Sequence, residues 1–269
     1  MLSSLAFICL SASFISMWIR KDPKIWGSLF AISLILGIVA GNILPLGLLF
    51  IAIWISLWFF YDRYTSSKAL FALFLVVMSF GFKLHFFSGY VPLQITSKFC
   101  VGFGSPIVGL FALALVVPLA KTKKDWKKVG IGLLAGCLGI SVLAAIAILS
   151  HAVHWQYKMP TFPVARLSSN FFLTAIAEEA FYRGFIQKGL SDYWGRNRFG
   201  RVTALVVSSV IFTLAHLGWS PSIDILAFVF LASLLYGGVY MLTKKVESAI
   251  LTHFLLNAVH MFFFSYHAM

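Results

Sequence analysis

The stretch from Ile25 to Tyr61, IWGSLFAISLILGIVAGNILPLGLLFIAIWISLWFFY, holds no charged residue. At about 20 residues per crossing it is long enough for two membrane-spanning helices. Lipid offers the backbone no hydrogen-bond partner, so a run of this kind must satisfy its own amides as helix. A transmembrane barrel would alternate polar and apolar residues, and none alternate here. Phe99 to Ala120 and Val129 to Ser150 are charge-free as well, and each holds one more span. The fold class that follows is all-α, a polytopic transmembrane helical bundle.

Composition agrees. Of 269 residues, 61% are hydrophobic and 11% charged, with a mean hydropathy of +0.94. A soluble domain would carry about 25% charged residues, so too little polar surface exists to coat a globule in water. The net charge of +13 would suggest nucleic acid on a soluble protein. Here the basic residues sit in short connections between apolar runs, where they report topology instead. No nucleic-acid partner is expected. Cys9, Cys100 and Cys137 all fall in apolar stretches and read as small packing residues rather than a disulfide or metal framework.

Working outward gives about ten spans, near 2–19, 25–42, 45–61, 69–87, 101–119, 129–150, 168–190, 202–217, 223–242 and 248–266. Their connections alternate in charge. One side carries Arg20, Lys21, Lys24, Arg63, Lys68, the five lysines between 121 and 128, Lys188, Arg196, Arg198, Arg201, Lys244 and Lys245. The other carries Lys83, Lys98, Lys158 and Arg166, and Arg183 lies within a span. The positive-inside rule makes the basic side cytoplasmic and puts both termini outside. Leu2 to Ile19 has its basic residues after it rather than before, the reverse of a secretory signal. Trp18, Tyr61 and Trp219 near span ends suit an aromatic belt.

The chain divides in character. Residues 1–167 are spans with few polar residues, of unassigned role. Residues 168–269 hold all three glutamates, Glu178, Glu179 and Glu247. Glu178, Glu179 and Arg183 share one apolar helix, where each charge costs about 2.5–3.5 kcal/mol on insertion scales. Glu179 and Arg183 stand at i and i+4 with Glu first, the better order for an ion pair. Alone that pair reads equally as a packing clip. Glu178, about 100° around the helix, has no cation on its own helix, and such a carboxylate suits a general base. Phe212 and His216 share a face of the next span, and His253 and Asn257 share a face of the last. Each is open to a plainer reading, as a core histidine or as interhelical glue. Together they are groups able to hold water, move a proton and stabilise an oxyanion. Measured from Lys188 and Lys245, Glu178 and His253 lie about 15 and 12 Å deep, whereas His216 lies about 22 Å from Arg201 and matches only if its helix starts late or tilts.

At these residues the sequence resembles the CAAX-protease and bacteriocin-processing (CPBP, Abi) family of intramembrane endopeptidases. The family pattern appears as Glu178-Glu179-x-x-x-Arg183, Phe212-x-x-x-His216 and His253-x-x-x-Asn257, in order, across residues 168–260. The resemblance implies a mechanism. Glu178, aided by His216, would activate a water to attack a peptide carbonyl. His253 and Asn257 would stabilise the oxyanion, and Glu179 and Arg183 would position the site. No cofactor is then needed. Glu178, His216 and His253 could instead ligate zinc, but the helical His-Glu-x-x-His arrangement is absent and the metal-free version is preferred. The substrate would be a membrane-associated protein or peptide, and the home of the protein a bacterial inner membrane.

Two other readings are set beside it. A proton-coupled transporter also uses intramembrane acids and histidines, but usually shows polar residues in two related halves. A non-catalytic scaffold would have no use for the full motif set. Outside the motifs, His151 and His154 read as a solvated loop. Lys83 and His85 sit near a span end, Asp224 suits a helix N-terminus, and His260 and His267 sit at the outer interface.

Overall fold

The computed structural model describes residues 1–64, 68–84, 86–97, 99–195, 197–217 and 223–265. His85, Lys98, Arg196, Trp219 and His267 lie outside these described residues. Contacts divide the chain into two compact units, Met1–Ala114 and Leu115–Met269.

In the first unit the helices are α1 (Leu2–Ile19), α2 (Pro23–Val39), α3 (Pro45–Arg63), α4 (Lys68–Lys83) and most of α5 (Gly104–Leu115). Helix starts follow local chemistry. Pro23 and Pro45 occupy first-turn positions, where the missing N–H would be unsatisfied anyway. The Asp22 side chain accepts the Lys24 N–H as a cap. α1 and α2 pack through buried serines: Ser33 Oγ donates to the Ala6 carbonyl at 2.7 Å and Ser13 Oγ to that of Trp26 at 2.8 Å. Short polar side chains of this kind join helices in lipid.

The fifth expected span, 101–119, is shorter than the sequence suggested. Strand β2 (Phe99–Val101) pairs antiparallel with β1 (Leu93–Thr96) and takes the start of that run, and Pro118 lies beyond the end of α5. Proline has no N–H to continue a helix. Cys100 is therefore in an exposed strand, not in a span.

The second unit holds α6 (Lys123–Leu149), α10 (Arg198–Leu214), α11 (Ile223–Thr243) and α12 (Val246–Phe263). Between α6 and α10 runs α7 (Pro163–Ser169), π-helical Asn170–Ala175, α8 (Ile176–Glu179), π-helical Ala180–Gln187 and α9 (Lys188–Tyr193). The junction residues all keep right-handed helical dihedrals, so 163–193 is one continuous rod. It extends past the expected 168–190 at both ends, with Pro163 at its first position. α6 likewise starts at Lys123 rather than 129. Thr122 and Asp125 form a reciprocal capping box that supports its lysine-rich first turns. Strands β3 (His154–Trp155) and β4 (Phe264–Ser265) tie the 150–162 connection to the end of α12, and His154 is exposed there.

Among the described residues five helices, α1, α3, α6, α11 and α12, are long and apolar enough to cross a membrane, and α2 and α5 are shorter apolar helices. Leu134, Leu138 and Val142 form an exposed apolar row on α6, opposite its buried Gly132, Gly136 and Ile140. In water such a row would be costly; in lipid it is the outer face. The protein is a multi-pass membrane protein with an all-helical framework.

Candidate active site

Every residue from Ala175 to Gln187 is buried, so the 163–193 rod passes through the middle of its unit. Glu178 and Glu179 end the short α8 between the two π-helical stretches. Such stretches recur at functional positions in helices.

Glu179 is fully buried and bridges two cations or donors. Its Oε2 accepts from Arg183 Nε at 2.9 Å, and its Oε1 faces His253 Nδ1 at 2.8 Å. The carboxylate thus ties the rod to α12. Arg183 has five N–H donors, more than one carboxylate can accept. Its Nη2 donates to Ser233 Oγ on α11 at 2.8 Å, and its Nη1 reaches Ser208 Oγ on α10 at 3.4 Å. Ser208 in turn donates to the Tyr182 carbonyl at 3.0 Å. The guanidinium also lies over the Phe212 ring, 5.3 Å from its centroid. One turn on, Gln187 Nε2 donates to the Gly237 carbonyl at 3.0 Å. A β-carbon at Gly237 would stand 2.8 Å from Gln187 Oε1, so a larger residue here would have to displace the Gln187 side chain.

Glu178 faces the other imidazole. Its Oε2 is 3.9 Å from His216 Nε2. That is too long for a direct hydrogen bond and suits two groups that share a water. His216 lies in the turn after α10, and its Nδ1 meets the Phe212 carbonyl at 2.7 Å. A carbonyl only accepts, so Nδ1 carries the proton and Nε2 is turned to Glu178. Both imidazoles rest on aromatic faces. His216 stacks on Phe212 and His253 on Tyr236, each at 4.5 Å between centroids. Phe212 meets His253 edge-on at 6.0 Å, which links the two.

Helix lengths bear on the depth of His216. α9 continues beyond Lys188 to Tyr193, and α10 leaves from Arg198. The first turns of α10 therefore lie beside α9, beyond Lys188. Counted from that connection, Glu178 is about 22 Å along one rod and His216 about 27 Å along the other. α10 starts earlier than the expected 202, not late, and about 5 Å of the difference remains.

Five of the six sequence-selected residues thus meet: Glu178, Glu179, Arg183, His216 and His253. Asn257 is half-buried one turn beyond His253 and, among the described residues, has no hydrogen bond to the others. Asp224 is exposed in the first turn of α11. Among the described residues no three His, Cys, Asp or Glu side chains are gathered to hold one ion, and the His253 Nδ1–Glu179 contact leaves Nε2 free.

Ser208, Ser233, Gln187, Tyr236 and Gly237 were not singled out in the sequence. Gln187 could have been, because 179, 183 and 187 repeat at one-turn spacing. The serines could have been sought as acceptors that a buried arginine needs, although the choice among many serines needs the fold.

The cluster sets two carboxylates and two imidazoles inside an apolar helical unit. Residues 159–259 match the family described as type II CAAX prenyl endopeptidase, Rce1-like. This agrees with the resemblance drawn from the three motifs, and the matched segment contains all six residues. No curated protein and no solved structure matches the chain.

Proposed function

We propose that this protein is an intramembrane endopeptidase that cleaves a membrane-associated protein or peptide, with Glu178 as the base. The observation that carries this is Glu178 set 3.9 Å from the outward nitrogen of His216 inside an apolar unit. Glu178 and His216 hold one water between them. Glu178 takes its proton as the water oxygen attacks the scissile carbonyl, and the proton then passes to the leaving amine. His253 donates Nδ1–H to Glu179 and, protonated on Nε2 as well, offers that second N–H to the developing oxyanion, and Asn257 joins it from the next turn. Arg183 holds Glu179, and through it His253, in place. The reaction runs in this reading without a metal.

The wider setting belongs to the same proposal. About ten crossings and both termini outside follow from the charge alternation, and a bacterial inner membrane is the setting that goes with the family resemblance. The test compares membranes that carry wild-type protein with membranes that carry Glu178→Ala or His216→Ala. An uncut precursor should accumulate with either variant while the protein stays folded. Cleavage that persists in Glu178→Ala would overturn the assignment. Proton-coupled flux across proteoliposomes without cleavage would favour a transporter.

A further inference from the structure

The segment that matches the protease family begins at 159, so α6 and the Leu115–Thr122 stretch before it lie outside. Yet α12, which carries His253, rests on both. At its base Glu247 is buried, and its Oε1 accepts the Ala120 backbone N–H at 2.6 Å across 127 residues of chain. Beside it Lys245 Nζ meets Asp125 Oδ1 at 2.7 Å, and Asp125 also closes the capping box of α6.

Further along, two helices meet through small residues. Gly132 and Gly136, one turn apart on α6, face Ser248 and Thr252, one turn apart on α12 and both without exposed surface. A β-carbon at Gly132 would stand 2.6 Å from Ser248 Oγ and 2.7 Å from Thr243 Cγ2. One at Gly136 would overlap the Thr252 hydroxyl. In lipid, small residues at this spacing let helix backbones approach closely. Thr252 is the residue before His253, so a change at the seam moves the imidazole directly.

We infer that α6 and the stretch before it form the seat of α12, with Glu247, Gly132 and Gly136 as positioning residues for His253. The Glu247 bond acts as an axial stop, and the glycine seam fixes rotation and distance. Both are needed because the His253–Glu179 contact is a single 2.8 Å bond between helices. A shift of about 1 Å in a reacting group can cost about 100-fold in rate. The functional unit thus reaches back to about residue 120, beyond the segment that identifies the family.

This inference rests on His253 as part of the proposed protease site, and the test separates the two. Purified full-length protein is assayed for cleavage of the precursor identified with Glu178→Ala. Glu247→Ala and Gly136→Ala should each lower kcat by about 10- to 100-fold with KM unchanged, and should alter the pH profile of kcat. Glu247→Gln keeps an accepting oxygen and should restore kcat, and Thr252→Ala should rescue Gly136→Ala. Gly130→Ala, on the same helix with open space around its β-carbon, should change nothing. If Gly136→Ala does not fold, the two Glu247 variants decide alone. Glu178-dependent cleavage with wild-type kcat in Glu247→Ala would overturn the seat and leave the protease reading intact. Failure of Glu247→Gln to restore kcat would overturn it too. Absence of any Glu178-dependent cleavage would remove the reading on which both rest.

Discussion

Exchange of Glu179 for glutamine keeps the shape of the side chain and replaces one acceptor with a donor. In the native site both carboxylate oxygens accept, from Arg183 Nε at 2.9 Å and His253 Nδ1 at 2.8 Å. An amide can serve one of them. It also removes the negative charge beside an arginine with no exposed surface. Breaking a buried ion pair from one side costs about 3–5 kcal/mol. Arg183 keeps Ser233 at 2.8 Å and the Phe212 face at 5.3 Å, which favours the lower end, about 3 kcal/mol. The chemical effect is separate. An amide N–H turned to His253 makes Nδ1 the acceptor and removes the negative charge that favours the doubly protonated ring whose Nε2–H is proposed to face the oxyanion. A comparable Asp-to-Asn change in a Ser-His-Asp triad costs about 10,000-fold in kcat, and a loss of about 100- to 10,000-fold is expected here. The paired variant Glu179→Leu with Arg183→Met removes both charges at once. Apolar replacement of a whole buried pair is often neutral or stabilising, so stability should return while cleavage does not. Thermal unfolding in detergent and kcat on the same preparation separate the two effects. Recovery of activity together with stability in the paired variant would refute the argument, because Glu179 would then be no more than a counter-ion. Unchanged kcat in Glu179→Gln would refute it equally.

Ser233→Ala leaves a buried guanidinium nitrogen short of its 2.8 Å partner and should cost about 1–3 kcal/mol. Ser208→Ala should cost Arg183 less, because that contact is 3.4 Å, and melting temperatures check the order. Tyr236→Phe keeps a ring stacked on His253 and should keep kcat. Tyr236→Leu should lose about 2- to 10-fold, the rate equivalent of an aromatic pair worth about 0.5–1.5 kcal/mol. Cleavage should persist in a chelator; loss restored by zinc would replace the metal-free mechanism with a metal-assisted one.

The membrane character was legible because charge-free runs leave the backbone no other structure. The ion pair was legible because four residues of helix put Glu179 and Arg183 on one face wherever that helix packs. The meeting of His253 with Glu179 needed a fold, since 74 residues separate them. Helix ends were harder to read. Lysines at the start of α6 look like loop until the Thr122–Asp125 box shows that they can be helical. Short strands at 99–101 and 264–265 have no hydropathy signature that sets them apart from span ends. Ser233 and Gly237 went unnoticed because their significance lies in what Arg183 and Gln187 require.

The bond from His216 Nδ1 to the Phe212 carbonyl gives the imidazole a second duty. The last carbonyls of a helix have no amide ahead of them, and that of Phe212 belongs to the final turn of α10. His216 is therefore a stopper for the helix that carries it as well as the proposed holder of the water. Alanine at this position removes chemistry and frays the helix end together. Asparagine, with a side-chain amide to offer the same carbonyl, would preserve the stopper and strip out only the proton-handling nitrogen.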